Sequence, residues 1–451
     1  MGLSESKAAL FLKYLSVFEG WNGGRAMEYI IDRIRECVDK NRKEYIGFLS
    51  EYIQKDSTNP ALGENKAPFA CHLWMQKKLE EYGIFDKVDF WKSGNDFSNV
   101  AAVSEGEGEP LLFAGHTDTV PVTELQKAEW REDAGPWSGA VKEGKIYGRG
   151  ASDMKAGCAA PLMAMYVLHK LGVKPKRPLY FTYVMSEENG GREFGVDSII
   201  ERGYFAKECI VMEPSNDLAV VPAIQGEFYF TIEVQGLSYH IASRHHTLYP
   251  HGYHVKNVPG KNAIELAIEL IGELQKLEKE LGQYANHPLT EWGSTTINFS
   301  GIESKGIFSA GAEKCKITGS MLYNPSISQE EAFAYFKGAV NRAAERSFWL
   351  KEHPPVVTIP YLLSAKPPVN VEMEHPLCRQ LAEAARAFGR EPVYESCLST
   401  SDANYLQDHG IAAITMGPGS NEYGVHGVNE YVPVEVYLES IARYAYFLSK
   451  Q

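Results

Sequence analysis

Apolar positions along the chain follow two different spacings, and the change from one to the other divides it. From Met27 to Gln54 they recur every three or four residues (Ile30, Ile31, Ile34, Val38, then Tyr45, Phe48, Leu49, Tyr52). That spacing predicts one or two amphipathic helices. Asp56-Ser-Thr-Asn-Pro60 is a breaker cluster that ends them. A further helix is predicted from Pro68 to Tyr82, and strands around Val88 and over Asn99–Val103. Three apolar runs of strand length come next: Leu111–Gly115, Leu179–Val184 and Cys209–Met212. Between the first two, the turn-rich segment Trp137–Gly150 leads into a helix over Met154–Leu171. The apolar segment Ala8–Phe18 is broken by Lys13 and lacks a basic leader and a small-residue cleavage site, so it reads as a helix and not a signal peptide.

At Gly226 the period becomes two: Phe228-Tyr-Phe-Thr-Ile-Glu-Val alternates as a half-buried strand does. A strongly periodic helix (Asn262–Glu280), strands at Thr295–Phe299 and Cys315–Tyr323, a helix (Glu330–Arg346) and a strand at Val356–Leu362 follow. Strand-helix-strand-strand-helix-strand is the split βαβ order of a ferredoxin-like module. It interrupts a larger α/β region, which resumes near Glu374 with a helix to Phe388, a loop at Ser399–Asp402, a strand at Ile411–Met416, and His426 before a last helix. The predicted class is α/β in two domains. Residues 1–225 and 366–451 form one domain, and residues 226–365 form an inserted α+β domain.

Composition narrows the function. The 451 residues are 44% hydrophobic and 23% charged, ordinary for a globular protein. A net charge of −13 without a long basic run argues against nucleic acid and anionic membrane surfaces as partners. Seven scattered cysteines with no C-x-x-C argue against a disulfide framework and for a reducing, cytoplasmic compartment. No apolar run reaches the length of a membrane span.

The candidate chemistry sits where the apolar runs end. The first delivers His116-Thr-Asp118, the second Glu187-Glu188 and the third Glu213. In open α/β sheets ligands bind at the carboxyl ends of strands. A lone His-x-Asp is often a structural hydrogen-bonded pair, and Asp153 at a helix start is also a common N-cap. Surface charge alone would scatter, however, and would not recur just after buried strands. His116, Asp153, Glu188, Glu213 and His426 together offer two imidazoles and three carboxylates, a nitrogen and oxygen set suited to zinc or another divalent first-row ion. One carboxylate shared between two ions leaves positions open for water and substrate. Such a pair, about 3.5–4 Å apart, acidifies a bridging water and polarises a carbonyl. Adjacent Glu187 and Glu188 leave their strand in opposite directions. One can ligate while the other faces the cleft as a general base; the alternative for Glu187 is a solvated surface acid.

Five pieces carry a family resemblance: Gly115-His-Thr-Asp-Thr-Val-Pro121, Gly148-Arg-Gly-Ala-Ser-Asp-Met-Lys-Ala-Gly157, Ser186-Glu-Glu-Asn-Gly190, Met212-Glu-Pro-Ser215 and His426-Gly-Val-Asn-Glu430. In this order they resemble the co-catalytic zinc amidohydrolases and peptidases that include acetylornithine deacetylase, succinyl-diaminopimelate desuccinylase, aminoacylase and glutamate carboxypeptidase. The resemblance covers the chain from about Glu44 to its end. It implies two divalent ions (zinc, or else cobalt or manganese), with His116 and His426 each on one ion, Asp153 bridging, and Glu188 and Glu213 as terminal ligands. It also implies Asp118 orienting His116, Glu187 as general base, and the inserted domain as a lid that pairs two subunits. Gly236-Leu-Ser-Tyr-His240 matches the place of a histidine that steadies the oxyanion in the partner's site; by residue type alone His240 is equally a lid-surface residue.

Two departures lie in the lid. An extra stretch, Arg244–His254, follows His240 and clusters His245, His246, His251 and His254, as a metal site, a substrate-recognition element or a plain loop. Many family members also grip a substrate carboxylate with an Asn and an Arg, and the corresponding positions here are Ser309 and Leu322. Neither forms a charge-assisted pair, so either the substrate lacks the usual α-carboxylate or another cation (Arg244, Lys256 or Lys261) holds it. The reading is a homodimeric metallohydrolase that cleaves an amide C–N bond of a small N-acyl amino acid-like compound or short peptide through a bridging hydroxide. The alternatives are a deaminase or amidohydrolase of a carboxylate-poor or ring substrate, and a catalytically idle binding protein.

Overall fold

A computed structural model describes residues 23–248, 260–359 and 365–451. The helix expected over Ala8–Phe18, the end of the strand expected over Val356–Leu362, and His251, His254 and Lys256 lie outside the described residues. The chain forms two compact units. One comprises the described residues up to Pro222 with Val371–Glu395 and Ser401–Gln451; the other comprises Ala223–Asn370 and Ser396–Thr400. Both mix helices with a sheet, so the fold is α/β with an α+β insertion.

In the first unit the strands Lys87–Ser93, Phe97–Ser104, Leu179–Val184, Leu111–His116, Glu208–Val211 and Ala412–Thr415 lie side by side in that order. The last four are parallel. His116 lies opposite Val184, and Ala114 and Thr415 both lie opposite Val211, so their carboxyl ends open at one rim. Leu111–His116 is buried throughout, as parallel strands covered on both faces are. Helix Ala156–Leu171 is apolar nearly all round and buried at almost every position, packed against helix Val434–Leu448. It approaches the rim closely because residue 157 is glycine: a Cβ there would stand 1.8 Å from the Met212 carbonyl oxygen.

This helix begins later than its sequence suggests. Asp153 and Met154 have φ/ψ of −118°/96° and −133°/30°, and regular helix starts at Ala156 with no side-chain cap. Asp153 is therefore not an N-cap; its side chain is engaged elsewhere. Lys155, fully buried, donates from Nζ to the carbonyls of Lys55 (2.7 Å) and Tyr52 (3.3 Å), capping helix Arg42–Ile53 with a positive charge. The breaker cluster after that helix is structural as well. Asn59 N donates to Thr119 O, and Thr119 N to Ser57 O, which lays the segment along the loop following His116.

His72, on helix Ala70–Tyr82, supports the same loop from within the core. Its Nε2 lies 2.6 Å from Thr117 Oγ1 and its Nδ1 2.9 Å from Ser98 Oγ. Thr117 Oγ1 also donates to Val184 O, so it accepts from His72 Nε2–H, and a neutral imidazole satisfies every partner. Burial pushes the His72 pKa down to about 3. Below its ordinary value of about 6.5 the unfolded chain binds a proton that the folded chain does not, so the contribution of His72 to stability is present above that pH and lost as pH falls toward 3. The difference in unfolding free energy between the wild type and His72→Asn is expected to shrink by about 2 kcal/mol from pH 6.5 to pH 5. A difference independent of pH in urea titrations would contradict this.

In the second unit the strands Thr296–Glu303, Lys314–Tyr323, Gly226–Gln235 and Val356–Thr358 form an antiparallel sheet in that order. In sequence order this is 2-3-1-4, the split βαβ arrangement that the alternating pattern predicts. Phe228, Phe230, Ile232 and Val234 alternate inward and share a core with Leu270, Leu274 and Phe336 of the helices Ala263–Tyr284 and Gln329–Glu345. Both helices are capped locally, by Asn262 and by a Ser328/Glu331 capping box. The sequence reading passes over the hairpin Ala140–Lys142/Lys145–Tyr147 and the helix Asp402–Asp408, which a Ser401/Asn404 capping box starts within the supposed loop. Among the described residues no helix is long and apolar enough to cross a membrane.

Candidate metal centre

Each parallel strand hands its following residues to the common rim. His116 ends its own strand and is 1% exposed. Its Nε2 lies 3.1 Å from Asp153 Oδ1 and 3.3 Å from Glu213 Oε1. His426 Nε2 lies 3.2 Å from the other oxygen of Asp153, Oδ2, and 3.1 Å from Glu188 Oε2. One carboxylate therefore faces two imidazoles, one oxygen each, with a second carboxylate completing either side. His426 has a left-handed φ of 58° in a tight turn closed by Gly427 N donating to Gly424 O, and its side chain is half exposed. The other imidazole is sealed in.

His116 is oriented through its second nitrogen. Nδ1 lies 2.9 Å from the main-chain oxygen of Asp118, while the Asp118 carboxylate Oδ1 stands at 3.6 Å and has no hydrogen-bond partner. Asp118 Oδ2 accepts from Asn59 Nδ2 (2.7 Å) and from the Glu188 amide (3.1 Å). Asp118 thus joins the strand ends that carry His116 and Glu188. Glu187 is partly buried, and one of its oxygens, His116 and Glu213 bring possible ligand atoms within 4.8 Å of one another. His240 belongs to the second unit, where it is exposed and its Nδ1 accepts from Ala242 N. His245 and His246 place their rings 3.7 Å apart but join no group of three metal-binding side chains among the described residues.

The electrostatics call for cations. Burial, reinforced by the charge of Asp153, pushes Glu188 up to about 7, and burial drives Glu213 well above the carboxylate range. Burial opposes ionisation of Asp153 too, yet hydrogen bonds from His116 and His426 hold it far below that range. Hydrogen bonds donated to Asp153 and Glu188 raise His426 to about 10, and in His116 a burial effect of opposite sign is overcome by the charge of Glu213 and by hydrogen bonds to Asp153 and Glu213. Without added positive charge, the cluster must draw protons onto its imidazoles and carboxylates. Two divalent ions relieve the same excess and fit the nitrogen and oxygen donors.

Three contributors escape a sequence reading. Asn59 is buried in what reads as a helix breaker. Arg149 and Glu430, each 1% exposed, form a buried ion pair at 2.7 Å. Glu430 closes the His426 motif, so its presence is visible in the sequence while its task is not.

Two histidines sharing one carboxylate at the rim of a parallel sheet define a class, the metallohydrolases. Residues 112–450 match the peptidase family M20/M25/M40, and the chain belongs to that family, whose hydrolases act on C–N amide bonds. It is 28% identical over 417 residues to an N-formyl-4-amino-5-aminomethyl-2-methylpyrimidine deformylase of Halalkalibacterium halodurans, covering 90% of this chain and 93% of that one. Among solved structures its fold is similar to an aminopeptidase from Bacillus cereus (20% identity, TM-score 0.67, 91% of this chain and 98% of that one). It is also similar to a dinuclear metal binding peptidase from Bacillus subtilis (14% identity, TM-score 0.59, 90% and 98%).

Proposed function

We propose that this chain is a two-zinc amide hydrolase whose substrate is an N-acyl amine without an α-carboxylate, of the type of an N-formyl aminomethyl heteroaromatic. The observation that carries the two-ion reading is Asp153, whose two oxygens face different histidines. In this reading His116, Glu213 and Asp153 hold one ion, and His426, Glu188 and Asp153 the other. Cobalt or manganese suits the same donors. When bound, the pair supplies Lewis acidity toward the substrate carbonyl and toward water. Glu187 accepts a proton from the attacking water and returns it to the leaving nitrogen, so the acyl carbon gains an oxygen and releases the amine. Asp118 holds His116 in place through its main-chain oxygen. His240 of a second copy steadies the oxyanion, a role supported by the Gly236–His240 motif, and the working form is a homodimer. A cytoplasmic location is supported by the scatter of seven cysteines with no C-x-x-C pair.

The substrate class rests on the second unit. The strand register sets Leu322 opposite Glu227 and Thr296, so an acid, not a base, lies across from the position where many relatives carry Arg. Arg244, one alternative cation, is paired with Glu265 and donates to Tyr239 Oη (2.7 Å). The deformylase relative, named for a carboxylate-free ring compound, supports the same class. The test is a substrate panel of N-formyl and N-acetyl aminomethylpyrimidines, N-acyl amino acids and dipeptides, assayed for released acid, amine and ammonia. Carboxylate-free amides are expected to be cleaved best, and Leu322→Arg is expected to raise turnover of N-acyl amino acids about 10-fold or more, the worth of a charge-assisted hydrogen bond. Efficient cleavage of N-acyl amino acids by the wild type, with no response to Leu322→Arg, would overturn the substrate assignment. Ammonia release without acid would make the enzyme a deaminase.

A further inference from the structure

We infer that Glu430 is a positioning residue that sets the two metal-binding halves of the centre at their working separation. Its buried carboxylate gathers four donors. Oε1 accepts from the amides of Ser152 (3.0 Å) and Asp153 (3.1 Å), and Oε2 accepts from the Gly150 amide (3.0 Å) and Arg149 Nη1 (2.7 Å). Its own carbonyl accepts from Gly148 N at 2.9 Å. The turn Gly148–Asp153 is thereby wrapped around one side chain, and the last amide held is that of the residue shared by both histidines. Glu430 also lies four residues beyond His426, and Arg149 Nη2 returns to the carbonyl of Gly427 (3.0 Å).

These bonds tie the loop that presents Asp153 to the loop that presents His426. The tie requires a carboxylate. All four partners are donors, and only a group with two accepting oxygens satisfies them. An amide of the same shape would turn its NH2 toward two of those donors and leave a polar conflict in the core. A purely structural ion pair would need only Arg149. The three amides of residues 150, 152 and 153 extend the role to the geometry of Asp153. Residues that orient metal ligands in this way typically contribute about 10–100-fold to metal affinity.

The inference rests on the two-ion reading, and titration of the metal-free full chain with Co2+, followed by its visible absorption, tests it apart from activity. Glu430→Gln is expected to weaken binding of both Co2+ ions by about 10–100-fold and to alter their spectrum. Glu430→Asp keeps the charge and is expected to fold even where the amide variant does not, yet it is a methylene too short to hold all four donors and is expected to show the same loss in milder form. Arg149→Met removes one of the four donors and the bond to Gly427 but leaves the three amide bonds in place, so it is expected to lower the melting temperature and to weaken Co2+ binding clearly less than Glu430→Gln does. Wild-type binding in folded Glu430→Asp and Glu430→Gln, or equal losses in Arg149→Met, would overturn the positioning role alone. A wild-type chain that binds no Co2+ would remove the two-ion reading with it.

Discussion

Glu187→Gln is expected to lower kcat for amide hydrolysis by about 10^2–10^4-fold while the protein retains its full complement of metal. The substitution keeps the shape of the side chain and removes its ability to accept a proton from water. The loop does not depend on that carboxylate. Glu187 O accepts from Gly190 N, and Ser186 Oγ donates to Gly191 O, so the main chain is tied on both sides of the residue. KM is expected to change far less than kcat, because the lost interaction belongs to the transition state. Geometry leaves one rival role: the Glu187 carboxylate is close enough to His116 and Glu213 to serve as a ligand itself. Metal analysis beside the kinetics separates the two roles. Loss of an ion in Glu187→Gln would make Glu187 a ligand and leave the proton to another acceptor, and unchanged kcat would exclude both.

How the site assembles explains which parts are legible in the sequence. His116, Glu188 and Glu213 follow buried apolar runs, and parallel pairing brings the ends of such runs to one rim whatever the strand order. The order itself is not local information. Leu179–Val184 inserts between Phe97–Ser104 and Leu111–His116, a choice made by packing across the whole unit. Asp153 shows the same limit at one residue. An aspartate before an apolar helix has every local mark of an N-cap, but its amide is taken by a carboxylate 277 residues further on, and the helix starts three residues later. Asn59 hides likewise, since a residue of helix-breaking type gives no sign that it reaches Asp118 and Asn189 at 2.7 and 2.9 Å. The inserted unit is more legible because its signals are short-range: period-two alternation in Gly226–Gln235 and caps at both helix starts.

Asp153→Asn is expected to reduce the bound metal from two ions per chain to one at most and to abolish turnover. The side chain lies between the histidines with one oxygen toward each, so the amide keeps an acceptor on one side and presents an NH2, a donor, to the other. A cation on the NH2 side loses its shared ligand and meets two hydrogens in its place. Glu188→Gln is the control. Glu188 lies by His426 and Glu213 by His116, so this variant is expected to weaken only the His426 side and leave one tightly held ion. The pair of variants tests the sharing directly, through metal content after dialysis against a weak chelator. Two ions retained in Asp153→Asn with wild-type tightness would mean that the carboxylate is not common to both sites. Equal loss of both ions in Asp153→Asn and in Glu188→Gln would mean that the two positions fill only as a unit, and the assignment of one histidine to each ion would have to be withdrawn.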